Sequence, residues 1–234
     1  LDNFKRFFTP TYLKVLGRSV NLALISTILC LIIGYPLAYI ISKEEAKRRN
    51  ILVLSLVIPM WMNFLLRTYA WLTLLGRNGL INSFLTKLGL ANINFMYNNK
   101  AVLLGMVYNF LPFMVLPIYS IMVKIEGNLV EAAEDLGADR ITVFKKVIFP
   151  LSLPGVITGI TMVFIPAVST FVISDLLGGS KYNLIGNIIE QQFRWTGNWH
   201  FGSAMSIILM IFILITMALT SKFDKDKEGG GGLW

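Results

Sequence analysis

Apolar residues are gathered into five long blocks, and this grouping constrains the fold more than any other feature of the sequence. The blocks run approximately over residues 20–41, 51–75, 101–123, 153–173 and 203–220. A helix of about 20 apolar residues crosses the hydrocarbon core of a bilayer. Because a backbone in lipid must satisfy its own hydrogen bonds, we expect each block to be a transmembrane helix. The sequence therefore predicts an all-α membrane protein.

The composition agrees with a lipid environment. Hydrophobic residues make up 55% of the 234 residues and charged residues only 15%, whereas a soluble domain is about 25% charged. The net charge of +8 raises nucleic-acid binding as an alternative, but that function gathers basic residues on one surface. Here they are scattered through the short connectors between apolar blocks. We therefore predict that the chain is embedded in the lipid bilayer and that it does not bind nucleic acid.

Five of the eight prolines fall inside the apolar blocks. They are Pro36, Pro59, Pro112, Pro117 and Pro166. Each removes a backbone hydrogen bond and bends its helix. Kinked helices line the cavities of many transporters, although proline is also simply frequent in membrane helices. We expect a bundle of kinked transmembrane helices, but the prolines alone do not identify a transporter.

Two flanking segments lie outside the predicted permeation domain of residues 20–220. Residues 1–19 carry aromatic residues on one helical face, which predicts an amphipathic segment at the outer membrane surface. Residues 221–234 predict a cytoplasmic tail that ends in a glycine-rich stretch. Since the chain starts without Met and contains five apolar blocks, we expect a sixth helix upstream of residue 1.

The distribution of basic residues favours one orientation only weakly. One side of the membrane receives 11 of the 21 Lys and Arg residues, the other receives 9, and Arg67 lies inside a span. Cytoplasmic connectors carry an excess of these residues, so the side that contains residues 124–152 is favoured as cytoplasmic. Arg67 is expected to reach the outer surface through its long side chain.

The connector at residues 124–152 is long for a link between two helices, and its pattern predicts structure. A first short helix is predicted up to Gly137, because glycine commonly ends a helix. Asp139 can cap a second short helix, which Pro150 is expected to end. The residues alone therefore predict two amphipathic helices that are joined at a glycine on the membrane surface, with or without a partner protein.

The residue types within this connector resemble a known signature. The order is Glu131-Ala132-Ala133, three residues, Gly137, nine residues and then Val147-Ile148-Phe149-Pro150. This order resembles the EAA segment of permease subunits of binding-protein-dependent ATP-binding-cassette (ABC) importers. In that family the last element is usually Ile-x-Leu-Pro, so Val147 and Phe149 are modest apolar departures from the pattern.

The resemblance implies a mechanical role for the connector. In such permeases this segment forms coupling helices that enter a cleft of a cytoplasmic ATPase subunit. The implied contact residues are Glu131, Ala132, Ala133, Gly137, Phe144 and Pro150. The resemblance also implies that the connector is cytoplasmic, that the chain lies in the bacterial plasma membrane, and that the full protein has six spans.

The chain contains no Gly-x-x-x-x-Gly-Lys-Ser/Thr phosphate loop. The resemblance therefore implies that ATP and Mg²⁺ are bound by two copies of the partner ATPase, whose closure would switch access to a central pathway. We expect no cofactor and no catalytic residue in this chain. His200 is the only histidine and cannot build a metal cluster, so no metal site is predicted.

Three further stretches resemble the spermidine/putrescine permeases of the first subunit type. They are residues 58–71, 111–119 and 174–179. This resemblance implies polyamine import together with a second homologous permease and an external or periplasmic polyamine-binding protein. Permeases for sulfate, iron or phosphonate share the EAA segment, so another solute is an alternative. A secondary transporter is a further alternative, but no inverted repeat is visible.

A polyamine path should offer carboxylates and aromatic faces, which attract cations by charge and by the ring quadrupole. The candidates in the outer part of the chain are Asp175, Glu190, Trp61, Tyr69 and Trp195. Asp175 lies just beyond the fourth block, where an acid is costly unless it is paired or wet. Each has an ordinary alternative: a carboxylate can pair with a nearby base, and an aromatic ring can anchor the chain at the interface.

Overall fold

The computed structural model describes residues 2–91, 94–125, 127–179 and 182–228, and side chains up to residue 220. Every regular element in these ranges is helical. In chain order they are α1 Asp2–Phe7, α2 Pro10–Lys43, α3 Ala46–Trp61, α4 Phe64–Leu75, α5 Leu80–Lys87, α6 Asn99–Met122, α7 Gly127–Asp135, α8 Arg140–Val143, a π-helical turn Phe144–Ile148, α9 Phe149–Ser169, α10 Val172–Gly178, α11 Ile185–Arg194 and α12 Trp199–Glu228.

Four single helices are long and apolar enough to cross a membrane within the described ranges. They are Pro10–Lys43, Asn99–Met122, Arg140–Ser169 and Trp199–Thr220. A fifth candidate is a bent pair, Ala46–Trp61 with Phe64–Lys87, whose two parts meet at 94°. The prediction of an all-α membrane protein is confirmed, with four spans or with five if the bent pair is one broken span.

The first span begins earlier than the sequence pattern suggested. Helix α2 starts at Pro10, so residues 10–19 are helical and continuous with the first apolar block. Proline suits the first helical position because its fixed φ angle is helical and its missing N–H has no partner there. Only α1, Asp2–Phe7, lies apart from this helix.

The second apolar block is not one straight helix. It breaks between α3 and α4, where the Asn63 side chain accepts a hydrogen bond from the backbone N–H of Leu65 at 2.8 Å. That side chain supplies an N-cap for a new helix. Pro59, four residues earlier, already lacks one intrahelical hydrogen bond. Together they allow the sharp bend that a pattern of apolar residues could not reveal.

The fourth span also differs from its prediction, because Pro150 does not end the helix before it. Helix α8, the π-helical turn and α9 form one continuous candidate span over Arg140–Ser169. In the π-helical turn the N–H of Phe149 bonds the carbonyl of Phe144, five residues back. Pro150 is the second residue of α9 and directly follows this turn, and such a local π-helical adjustment accommodates a proline inside a membrane helix.

The chain divides into two compact units. One comprises the residues up to Thr27, Met60–Asn109 and Phe164–Leu214, and the other comprises Ile28–Pro59, Phe110–Val163 and the residues from Ile215 on. In the second unit, small residues allow close helix packing. A Cβ atom at Gly34 would lie 3.1 Å from Cγ of Met114, and one at Gly159 would lie 2.8 Å from its Sδ. Glycines at membrane helix contacts let backbones approach in this way.

Gly155 gives the clearest test of this packing. A Cβ atom there would lie 2.8 Å from the carbonyl oxygen of Pro117 and 3.0 Å from Cα of Ile118. Because both atoms belong to the backbone, they cannot rotate away. We expect Gly155→Ala to destabilise the protein by about 1–3 kcal/mol, the usual cost of overpacking, and to lower the melting temperature of the purified complex in detergent.

Gly17→Ala is the matched control, since Gly17 is also helical and a Cβ atom there meets nothing within 4 Å. It should melt at the temperature of the unchanged protein or slightly above it, because alanine is the better helix former. Equal melting temperatures for the two variants would contradict the close packing described for Gly155.

Candidate functional site

The connector between the third and fourth spans contains the predicted turn at Gly137. Helix α7 ends at Asp135, and Gly137 has a φ of +84°. The N–H of Ala138 then bonds the carbonyl of Ala133 at 3.1 Å, which is a common way to close a helix C-terminus. A Cβ atom on Gly137 would meet nothing within 4 Å. The need for glycine is therefore conformational and not a matter of space.

The second helix of the connector starts at the predicted cap. Oδ1 of Asp139 accepts a hydrogen bond from the backbone N–H of Thr142 at 3.2 Å. Hydrogen bonds from the Thr142 hydroxyl and backbone lower the pKa of the Asp139 carboxyl. A lowered pKa means that this cap supports the helix above the unfolded pKa and is lost as the pH falls through the folded value.

Helix α7 presents its side chains outward. None of its nine residues is buried, and Glu131 and Ala132 are exposed while Ala133 is half-buried. The exposed fraction of Leu136, just after the helix, is 89%. Ile141 on α8 is also exposed, and exposed apolar side chains of this kind are typical of surfaces that a partner protein covers.

Phe144 has a different environment from the other predicted contact residues. Its ring lies 5.9 Å from the rings of Tyr35 and Tyr39, nearly perpendicular to both. Phe149 lies 5.9 Å from the Tyr35 ring, and the Tyr35 hydroxyl is 2.9 Å from the Ser152 hydroxyl. This aromatic cluster joins the connector to α2, so Phe144 is an anchor within the chain. Pro150 is exposed at the start of α9.

The predicted substrate residues differ in exposure and in pairing. Trp61, Tyr69 and Trp195 are exposed. Asp175 is exposed on α10, and its carboxylate forms no ion pair with any residue that the structure describes. Glu190 is half-buried, and its Oε1 accepts a hydrogen bond from Nη1 of Arg194 at 2.7 Å. Asp175 is thus the freer carboxylate of the two.

A buried polar network holds α10 and α11 in place. The side chain of Asn187 accepts hydrogen bonds from the Ser174 hydroxyl at 2.5 Å and from the N–H of Leu184 at 2.9 Å. It also donates to the carbonyl of Phe171 at 3.0 Å. The hydroxyl of Ser19 on α2 accepts from the N–H of Ile185 at 2.8 Å. Sequence reasoning missed this network, because no local pattern pairs Ser19 with a residue so distant along the chain.

Arg67 contradicts the expectation that its side chain reaches the outer surface. The exposed fraction of Arg67 is 8%, and its Nε atom has no hydrogen-bond partner among the described residues. Its helix, α4, packs against α10. The bend at Asn63 starts α4 as a new helix, and the apolar pattern did not predict it.

The sequence matches a family model over most of its length. Residues 30–228 match the family described as "Binding-protein-dependent transport system inner membrane component". The chain is 45% identical over 213 residues to the spermidine/putrescine transport system permease protein PotB of Escherichia coli (strain K12), covering 90% of this chain and 78% of the relative. PotB of Haemophilus influenzae is 40% identical over 227 residues, with coverage of 96% and 79%.

Solved transporters share the fold. A bacterial ABC transporter that imports the acidic polysaccharide alginate matches with a TM-score of 0.83 at 16% identity, covering 97% of this chain and 83% of that one. The MetNI methionine ABC transporter in an inward-facing conformation matches with a TM-score of 0.68 at 16% identity, with coverage of 92% and 94%. The chain belongs to the family of binding-protein-dependent transport system inner membrane components.

Proposed function

We propose that this chain is the permease subunit of an ABC importer that carries polyamines across the bacterial plasma membrane. The observation that carries the proposal is the 45% identity to the E. coli spermidine/putrescine permease over 90% of the chain. A match of this length includes α10 and α11 as well as the connector. The apolar helices supply the passage through the membrane, and the solute crosses by alternating access.

The connector couples this permease to a cytoplasmic ATPase. Three features support the assignment: α7 has no buried residue, Leu136 is almost fully exposed, and Gly137 sets the angle between the two short helices. Glu131, Ala132, Ala133 and Gly137 form the contact region, and the small alanines allow close approach. We assign this face to the cytoplasm.

The second part of the connector transmits movement to the spans. Because α8 runs without interruption into the span that ends at Ser169, a force on α8 moves that span directly. The aromatic contacts of Phe144 with Tyr35 and Tyr39 carry the same displacement to α2. Phe144 therefore acts between two parts of the permease, while Glu131 and its neighbours contact the ATPase.

The complete importer contains parts that this chain lacks. Two copies of the ATPase bind ATP and Mg²⁺, a second homologous permease completes the pathway, and an external or periplasmic binding protein delivers the polyamine. This chain contributes no group to ATP hydrolysis. On the outer side, Asp175 is the carboxylate best placed to meet a cation, with Trp61, Tyr69 and Trp195 as exposed aromatic surfaces.

Gly137→Ala tests the coupling connector. Alanine in the left-handed conformation costs roughly 1–2 kcal/mol, so the angle between α7 and α8 should change. We expect the ATPase to co-purify poorly with this variant and ATP-driven uptake to fall at least fivefold. Gly127→Ala is the matched control, since a Cβ atom at Gly127 also meets nothing within 4 Å and Gly127 has no positive φ. Full ATPase retention and transport in Gly137→Ala would refute the assignment.

Uptake of labelled spermidine tests the solute. Cells that lack this chain should lose binding-protein-dependent spermidine uptake, and the unchanged chain should restore it. With Asp175→Asn, the maximal rate of spermidine uptake should fall by about tenfold or more, since a hydrogen bond to a charged group is worth about 1.5–3 kcal/mol.

Glu190→Gln is the control in this series, because Glu190 is already paired with Arg194. Its maximal rate of spermidine uptake should stay within about twofold of the unchanged value. Unchanged spermidine uptake in the deletion strain would reject the polyamine assignment, whereas sulfate, iron or phosphonate uptake lost in its place would move the chain to that solute.

A further inference from the structure

An apolar groove runs along α11 and α12 in the unit that contains Phe164–Leu214. Its volume is about 480 Å³, within the range of about 300–1,000 Å³ that is usual for ligand sites. The side chains that define it include Phe171, Ile189, Phe193, Leu209, Met210 and Leu214. The groove lies on a helix that spans the membrane, so its natural contents are apolar.

A pair of opposite charges stands beside this apolar groove. Glu190 lines it, and Arg194 follows one helical turn later with Nη1 at 2.7 Å from Oε1 of Glu190. The exposed fraction of the Arg194 side chain is 69%, so its other N–H groups are open to a further acceptor. The second carboxylate oxygen of Glu190 can accept from a further donor. The two groups together complement a headgroup that carries both charges.

Aromatic residues mark the level of this charge pair in the membrane. Trp195 directly follows α11 and Trp199 begins α12, and both are exposed, Trp195 at 80%. Exposed tryptophans are typical of the headgroup region. From there, the groove follows α12 from Ser206 to Leu214, a distance of about 12 Å at the rise of an α-helix. The charged end therefore lies at the headgroups and the apolar part runs into the hydrocarbon.

We propose that this groove binds one acyl chain of a membrane phospholipid with a phosphoethanolamine headgroup. Arg194 contacts the phosphate and Glu190 contacts the ammonium, while the acyl chain lies against Phe193, Met210 and Leu214. The arrangement fits a lipid better than it fits a polyamine, because the lining is apolar and its only carboxylate is already paired. The site is separate from the proposed solute function.

Photo-labelling of the purified complex in nanodiscs tests this site. The probes are phosphatidylethanolamine and phosphatidylglycerol that carry a diazirine in the acyl chain, and mass spectrometry maps the labelled peptides. We expect label on residues 189–193 and 206–214, with phosphatidylethanolamine at least threefold above phosphatidylglycerol. Met210→Trp fills the groove and should reduce this label at least fivefold. Glu190→Gln should abolish the preference between the two headgroups.

Ile211→Trp is the matched control, because Ile211 is exposed on the same helix but does not line the groove. Its labelling should stay within twofold of the unchanged protein. Absence of label from both segments, as a covering permease subunit would cause, overturns the proposal. Equal labelling by the two lipids overturns the headgroup assignment, and displacement of the label by spermidine makes the groove a solute site. Since no readout depends on transport, failure here leaves the polyamine assignment untouched.

Discussion

The aromatic cluster around Phe144 is the contact on which the mechanical account depends. Phe144 packs edge-on against Tyr35 and Tyr39, and Phe149 approaches the same Tyr35 ring. Aromatic pairs of this geometry add about 0.5–1.5 kcal/mol each beyond the area that they bury. They tie the connector to α2, while the continuous backbone of Arg140–Ser169 ties it to a second span. A connector held at two points can move spans, whereas a loose one would absorb the motion.

Close helix packing makes the rest of the same unit, which contains Ile28–Pro59 and Phe110–Val163, rigid as well. Met114 is fully buried, with Gly34 and Gly159 at its side chain. Lipid chains are as apolar as these side chains, so the hydrophobic effect does not drive spans together, and close contact must do so. In the other unit the polar network of Ser174, Asn187 and Ser19 has the corresponding role. Both kinds of contact make the spans behave as stiff bodies that a small force can move.

Much of this fold could be predicted from the sequence, because each membrane span corresponds to a long block of apolar residues. The turn at Gly137 and the cap at Asp139 were also predictable, since each depends on a local backbone requirement. The break at Asn63 had a local signal in Pro59 followed by a capping residue, but the apolar pattern concealed it. The burial of Arg67 and the anchoring position of Phe144 depend on contacts between distant segments, which a local pattern does not contain.

The distance between α2 and the connector tests the central claim most directly. Spin labels at Ile40→Cys and Ile141→Cys, both exposed positions, can be measured by pulsed electron resonance in the assembled importer, with Cys30→Ala as background. If α8 and α2 move as one body, the distance distribution should stay narrow and its mean should be the same without nucleotide and with trapped ATP. A mean that shifts by more than about 3 Å, less than one helical turn, or a broad distribution in either state would contradict a rigid connection.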